Sequence, residues 1–203
     1  MLSAAMNACS RYRWARSARL GVALLSACLL TAWADAPRTI DASKSTLTVR
    51  VFKAGLFSAL GHDHQIQAPI QQGSFRMDPP SVDLVVDARQ LRVADSDISD
   101  KDRVQVQETM LGPKVLDADK FPDIRFHAAE VRPAGADRWL LPGDLTLHGQ
   151  QHPVTVNVEL QAGHYRGSAT LSQKSFGITP VSVGGGAVKV KDEVRIEFDI
   201  VPR

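Results

Sequence analysis

The sequence predicts an all-β fold, a single antiparallel barrel of about eight strands with one short accessory helix. Three observations predict it. Apolar and polar residues alternate at period two along most of the chain beyond residue 34. Clusters of Gly, Pro, Asp and Ser interrupt that alternation between the runs. One segment, Ser99–Leu111, departs from the alternation and carries helix-boundary signals.

Taken in chain order, the first element is not part of the fold. Arg11, Arg13, Arg16 and Arg19 form a basic region, Leu20–Leu30 is apolar, and "AWADA" offers cleavage sites after Ala34 or Ala36. That layout reads as an export signal over residues 1–34. The apolar run is short for a bilayer span. A second reading of the same segment takes "LSAC" as a lipoprotein processing site with Cys28 as the lipid-bearing residue. Both cysteines, Cys9 and Cys28, lie in this segment, so residues 35–203 hold no disulfide, thiolate nucleophile or zinc–cysteine site. The four arginines leave with the signal, which takes the formal charge from +2 to −2. No electrostatic footprint for nucleic acid remains.

The strands follow. Leu47, Val49 and Val51 alternate with Thr48 and Arg50; Val82, Leu84 and Val86 with Asp83; Ile124, Phe126 and Ala128 with Arg125 and His127. Leu145 and Leu147 alternate with Thr146, Val154–Leu160 with Thr155, Asn157 and Glu159, and Val194–Ile200 with Arg195, Glu197 and Asp199. Two more strands fit around Gln65–Met77 and His164–Lys174. One dry and one wet face per strand is the mark of antiparallel sheets, since parallel strands read as unbroken apolar runs. Ser99 and Asp102 stand at capping-box spacing, and Gly112-Pro113 ends the segment, so a helix is expected there despite the alternating "VQVQ".

Closing such strands into a barrel hides their edges and gives them one core. Periodicity does not choose between a barrel filled by side chains, a barrel holding one small ligand and a two-sheet sandwich. The in-facing residues, with Phe75, Phe121, Phe126, Leu145, Leu147 and Phe176, either fill a core or line a tunnel.

The stretch "FSALGHDHQI" at Phe57–Ile66 holds His62, Asp63 and His64 after a glycine. On an extended chain His62, His64 and Ile66 share one face, which turns both imidazoles toward the barrel mouth beside Leu56 and Phe57. There they are head-group contacts, ligands of a metal in need of a third donor, or a polar turn. His148 and His152 flank a strand turn and read as structural. No G-x-S-x-G elbow and no G-x-x-x-x-G-K loop is present.

Several motifs in order resemble one family. "STLTVRV" (Ser45–Val51), "DADKFPDIRF" (Asp117–Phe126), "GDLTLHGQQHPVTV" (Gly143–Val156), "SFGI" (Ser175–Ile178) and "DEVRIEFDIV" (Asp192–Val201) are similar to the signatures of the YceI-like, polyisoprenoid-binding family of exported bacterial proteins. The resemblance covers residues 39–201. It implies a lipocalin-like barrel over residues 35–203, no catalytic residues, and an isoprenoid lipid or quinone as bound ligand with no other cofactor. It favours the tunnel, lined by Val49, Val51, Leu56, Phe57, Phe75, Leu84, Val86, Phe121, Phe126, Leu145, Leu147 and Phe176. The chain departs from the family at "GHDHQIQAP" and "DKDRVQVQETMLGPK", which makes His62 and His64 the place to expect its own head-group preference. The expected role is a periplasmic carrier or sequestering protein that meets inner-membrane proteins transiently. The rival readings are a metal- or redox-linked protein using His62, Asp63 and His64, and a ligand-free envelope-stress interaction module. Nothing in the sequence assigns an oligomeric state.

Overall fold

A computed structural model describes residues 35–54, 63–186 and 188–203. The expected signal at residues 1–34 lies outside the described residues, as do Leu56, Phe57 and His62. The strands in chain order are β1 (Arg38–Thr39), β2 (Thr46–Ala54), β3 (His64–Gln67), β4 (Ile70–Met77), β5 (Pro80–Asp87) and β6 (Arg92–Val93). The helix α1 (Asp100–Leu111) comes next, followed by β7 (Asp123–Ala128), β8 (Arg132–Gly135), β9 (Arg138–Leu147), β10 (Gln150–Gln161), β11 (His164–Ser172), β12 (Ser182–Val183) and β13 (Val188–Ile200).

All pairings are antiparallel, and the strands form one curled sheet in the order β1-β4-β5-β7-β9-β10-β11-β13-β2-β3-β6, with β8 on β9 and β12 on β13. The sheet curls far enough that its first strand meets its C-terminal strand. Ile40, just after β1, bridges Pro202, just after β13. The Arg203 amide donates to the Thr39 carbonyl (2.9 Å) and the Asp41 amide to that of Val201 (2.8 Å). On the other side, β3 pairs with β2 while β4 pairs with β5. The expected single strand over Gln65–Met77 is broken at Ala68-Pro69, because proline donates no ladder hydrogen bond. The antiparallel lipocalin-like class is as expected, but the described residues hold thirteen strands rather than eight. The surplus is mainly short pieces, β1, β3, β6, β8 and β12, of two to four residues. Arg132–Gly135, expected as a breaker, forms the edge strand β8, where Pro133 is tolerated.

The long strands follow the alternation that the sequence shows. Strand β10 alternates exposed and half-buried residues from Gln151 to its end. Its turn from β9 uses His148 and Gly149 at φ +52° and +71°, the backbone of a two-residue hairpin whose twist matches the strands. A side chain at Gly149 would also meet Phe121, whose ring lies 2.6 Å from where a Cβ would stand. At Gly167 a Cβ would collide with the Asn157 carbonyl of β10 and lie 2.6 Å from the Phe198 ring, so only glycine lets β11 approach both neighbours.

Helix α1 is built by its caps more than by an apolar stripe. Ser99 caps it by accepting from the Asp102 amide and donating to the Asp102 carboxylate (2.7 Å). Met110 is its one buried side chain, with Val106 and Leu111 packed partly against the core. Gln107 fastens the helix to β6, accepting from the Val93 amide and donating to the Leu91 carbonyl (both 2.8 Å). Among the described residues no helix is long and apolar enough to cross a membrane.

Strand β13 is pinned to the end of β11 by Asp192. Its carboxylate accepts from the Ser172 hydroxyl (2.7 Å) and the Lys174 amide (2.9 Å). The Ser172 hydrogen bond, with that of the Lys174 amide, holds this carboxyl below its ordinary range. A carboxyl whose folded pKa is depressed contributes stability above its unfolded pKa and loses it as pH falls through the folded one. Urea unfolding at a series of pH values should therefore show Asp192→Asn destabilised at neutral pH, the gap to wild type closing in acid. A gap that stays constant with pH would reject this linkage.

Candidate functional site

The inward faces of the long strands enclose a cavity of about 340 Å³, within the size range of small-molecule sites. Its wall comes from the period-two positions: Leu47, Val49 and Val51 of β2, Val82, Leu84 and Val86 of β5, Leu141, Leu145 and Leu147 of β9, Val154, Val156 and Val158 of β10, and Val194, Ile196, Phe198 and Ile200 of β13. Apolar residues make up almost all of the lining; Arg76 and Gln173 are its strongly polar members.

The cavity has two unlike ends. One lies under the helix, where Leu91, Met110, Leu116 and Ile178 join the lining. Beyond it Phe176, Phe121, His148 and His152 pack together as an aromatic plug. The other end reaches the β4–β5 turn, where Met77 and Pro80 line the cavity and Met77 is 59% exposed. Phe75 meets Tyr165 edge to face at 5.4 Å, and Tyr165 meets Trp139 at 6.3 Å, forming an aromatic collar there. Among the described residues, the interior meets the surface at the collar.

Of the residues expected to line a tunnel, Val49, Val51, Phe75, Leu84, Val86, Phe126, Leu145 and Leu147 lie in the wall. Phe121 and Phe176 do not. Phe176 is 1% exposed, its ring edge-on to His152 at 5.1 Å and its carbonyl accepting from His148 Nδ1 at 3.1 Å. Phe121 packs on His148 at 4.8 Å. Both sit on connections at the barrel's end rather than on strands, which is why they plug it and do not line it. Leu56, Phe57 and His62 fall outside the described residues.

His64 also differs from expectation. Its neighbour on the same face, Ile66, is buried in the wall, but His64 is absent from the lining. Its Nδ1 donates to Asp95 at 2.6 Å, and the Asp95 side chain is 1% exposed and also accepts from the Gln65 amide. Residues after β6 bring Asp95 over β3 and turn the imidazole out of the barrel axis. His64, Asp63, Asp95, Asp97 and Arg50 line a separate polar recess of about 170 Å³. Asp63 accepts there from the Lys53 amide at 2.8 Å. Among the described residues no three His, Cys, Asp or Glu side chains converge as a metal set.

The sequence reading missed Ile40, Met110, Trp139, Tyr165 and Arg76 as wall residues. Trp139 opens a short apolar run with Leu140 and Leu141 that gives a signal, whereas Tyr165, between His164 and Arg166, and Arg76 give none. Chemically, the apolar lining suits burial of an apolar group, each buried methylene contributing about 0.8 kcal/mol.

Comparison with known proteins agrees with this geometry. Residues 39–201 match the sequence profile of the YceI-like domain. UPF0312 proteins from strains of Vibrio cholerae serotype O1 are 31% identical over 140 residues, 62% of this chain and 68% of theirs. The crystal structure of BcnA from Burkholderia cenocepacia superposes with a TM-score of 0.59 at 19% identity, covering 79% of this chain and 98% of that one. That similarity is one of fold.

Proposed function

Since the chain belongs to the YceI-like domain family, known as a polyisoprenoid-binding family and a family of binding proteins rather than known enzymes, we propose that it holds an isoprenoid-type lipid, a polyprenyl chain or an isoprenoid quinone, inside the barrel. The observation that carries this reading is the apolar cavity running from the helix end to the collar. Its function is to sequester or carry that lipid through water: burial supplies the affinity, and the collar end admits and releases the chain. The lipid is the only bound small molecule the role needs. The basic and apolar pattern of residues 1–34 supports export to the periplasm, where delivery or collection of such a lipid involves transient contact with inner-membrane proteins. Nucleic acid has no part in it.

The test is native mass spectrometry and solvent extraction of protein purified from its own host, followed by reloading of the stripped protein with a ubiquinone. An isoprenoid should co-purify in near-equal molar amount, and the stripped protein should take the quinone up. Protein that comes out empty and refuses the quinone would overturn the reading.

A further inference from the structure

Of the two strongly polar residues in the cavity lining, Arg76 lies at the end opposite the histidines. Arg76 belongs to the lining beside Met77 and the collar residues Phe75, Tyr165 and Trp139. Its Nε is shut off from solvent and has no hydrogen-bond partner. Among the described residues no carboxylate lies in the lining and no ion pair or hydrogen bond engages the guanidinium. A guanidinium never gives up its proton in a protein, so this charge is permanent. A desolvated donor without an acceptor is costly and uncommon. Three other arginines of the barrel show the contrast: Arg50 meets Glu197 at 2.6 Å, Arg89 meets Asp87 at 2.8 Å and Arg166 meets Asp199 at 2.7 Å.

We propose that Arg76 is the head-group site of the bound lipid and selects an anionic head, a phosphate or a carboxylate, held at the collar while the tail runs toward the helix end. An anion fits better than a neutral carbonyl, because it supplies both the missing acceptor and the missing counter-charge. Phosphate and carboxylate also match the fork geometry of guanidinium. The collar end is the right place for a charged head, since Met77 is exposed there, whereas Met110, Leu116 and Ile178 at the opposite end are buried. The polarity of the cargo follows: tail first into the barrel, head last.

This rests on the lipid-carrier reading, and the probes separate the two. Binding to stripped protein is measured for a polyprenyl monophosphate, the polyprenol of the same chain length, a long-chain fatty acid and its primary alcohol. Wild type should bind each anionic lipid roughly ten- to a hundredfold tighter than its neutral partner, the range expected for a hydrogen bond to a charged group. Arg76→Gln should erase that preference, so that charged and neutral lipids bind alike, whereas Arg76→Lys should keep part of it. The relative gains with phosphate and with carboxylate identify the head. Equal binding of charged and neutral lipids by wild type would overturn the anion site and leave the carrier standing. If none of the four binds and ubiquinone is refused as well, the carrier reading itself falls. Thermal melting of both variants checks that the fold is intact, as expected for a strand-end residue without side-chain partners.

Discussion

Ala169→Trp should cut lipid uptake more than tenfold and leave the barrel folded. Ala169 lies on β11 opposite Ile196 of β13, is 5% exposed, and faces the cavity. Its small side chain leaves room in the middle of the wall. An indole there projects into the space a lipid tail would occupy. Excluding two or three methylenes of tail removes about 2 kcal/mol of burial, which is more than a factor of ten in affinity. In a filled core the same substitution would cost about 1–3 kcal/mol in strain, but about 340 Å³ of cavity can accept the ring. The measurement pairs lipid reloading with a thermal melt. Ala169→Leu should give an intermediate loss of uptake. Full uptake by a folded Ala169→Trp protein would show that the lipid does not run through the barrel. A large drop in melting temperature would show that the interior is tighter than the geometry says.

This prediction depends on a distinction the sequence alone leaves open. Period two places Val49, Leu84, Leu145 and Ile196 on the inner face, and the structure puts them there. The same pattern serves a filled barrel and a hollow one, because it says which way a side chain points and nothing about the distance to the opposite wall. That distance comes from the curl of the whole sheet and from what closes its ends. The helix shows another limit. "VQVQ" carries almost no helical stripe, and the helix is legible through its Ser99 cap and Gly112 stop. Its docking through the Gln107 amide to β6 involves a two-residue strand too short to show any period. His64 has the right parity for the interior, yet Asp95, 31 residues on in sequence, captures its ring. A hydrogen bond of that kind between distant segments overrides alternation and leaves no local trace. Arg76 is illegible for the complementary reason: an arginine on a strand looks like any solvated charge until its neighbours are known to offer it nothing.

Phe176→Ala should be the most destabilising single truncation in the barrel, at about 3–5 kcal/mol. Phe176 is the largest side chain buried below 2% exposure. It sits in a short 3₁₀ turn after β11 that is followed by Gly177 at φ +71°, a left-handed position. The turn holds it from three sides: its amide donates to the Gln173 carbonyl (3.0 Å), its carbonyl accepts from His148, and its ring packs edge-on against His152. Its removal leaves a void between the β9–β10 hairpin and the turn, two elements that cannot close on each other while Gln173 stays bonded to the Lys191 carbonyl. For a domain of this size the loss corresponds to a melting temperature lower by about 10 °C. Urea unfolding should show the midpoint moving with little change in slope. Phe176→Leu, which nearly conserves volume, should cost less than about 1.5 kcal/mol. The plug lies beyond the cavity wall, so protein that remains folded should keep its lipid affinity. That separates it from Ala169→Trp, where uptake falls and stability holds. Loss of lipid affinity in folded Phe176→Ala protein would mean that the tail reaches past Leu116 and Ile178 into the plug. A cost below about 1 kcal/mol would mean that the end of the barrel collapses to fill the gap.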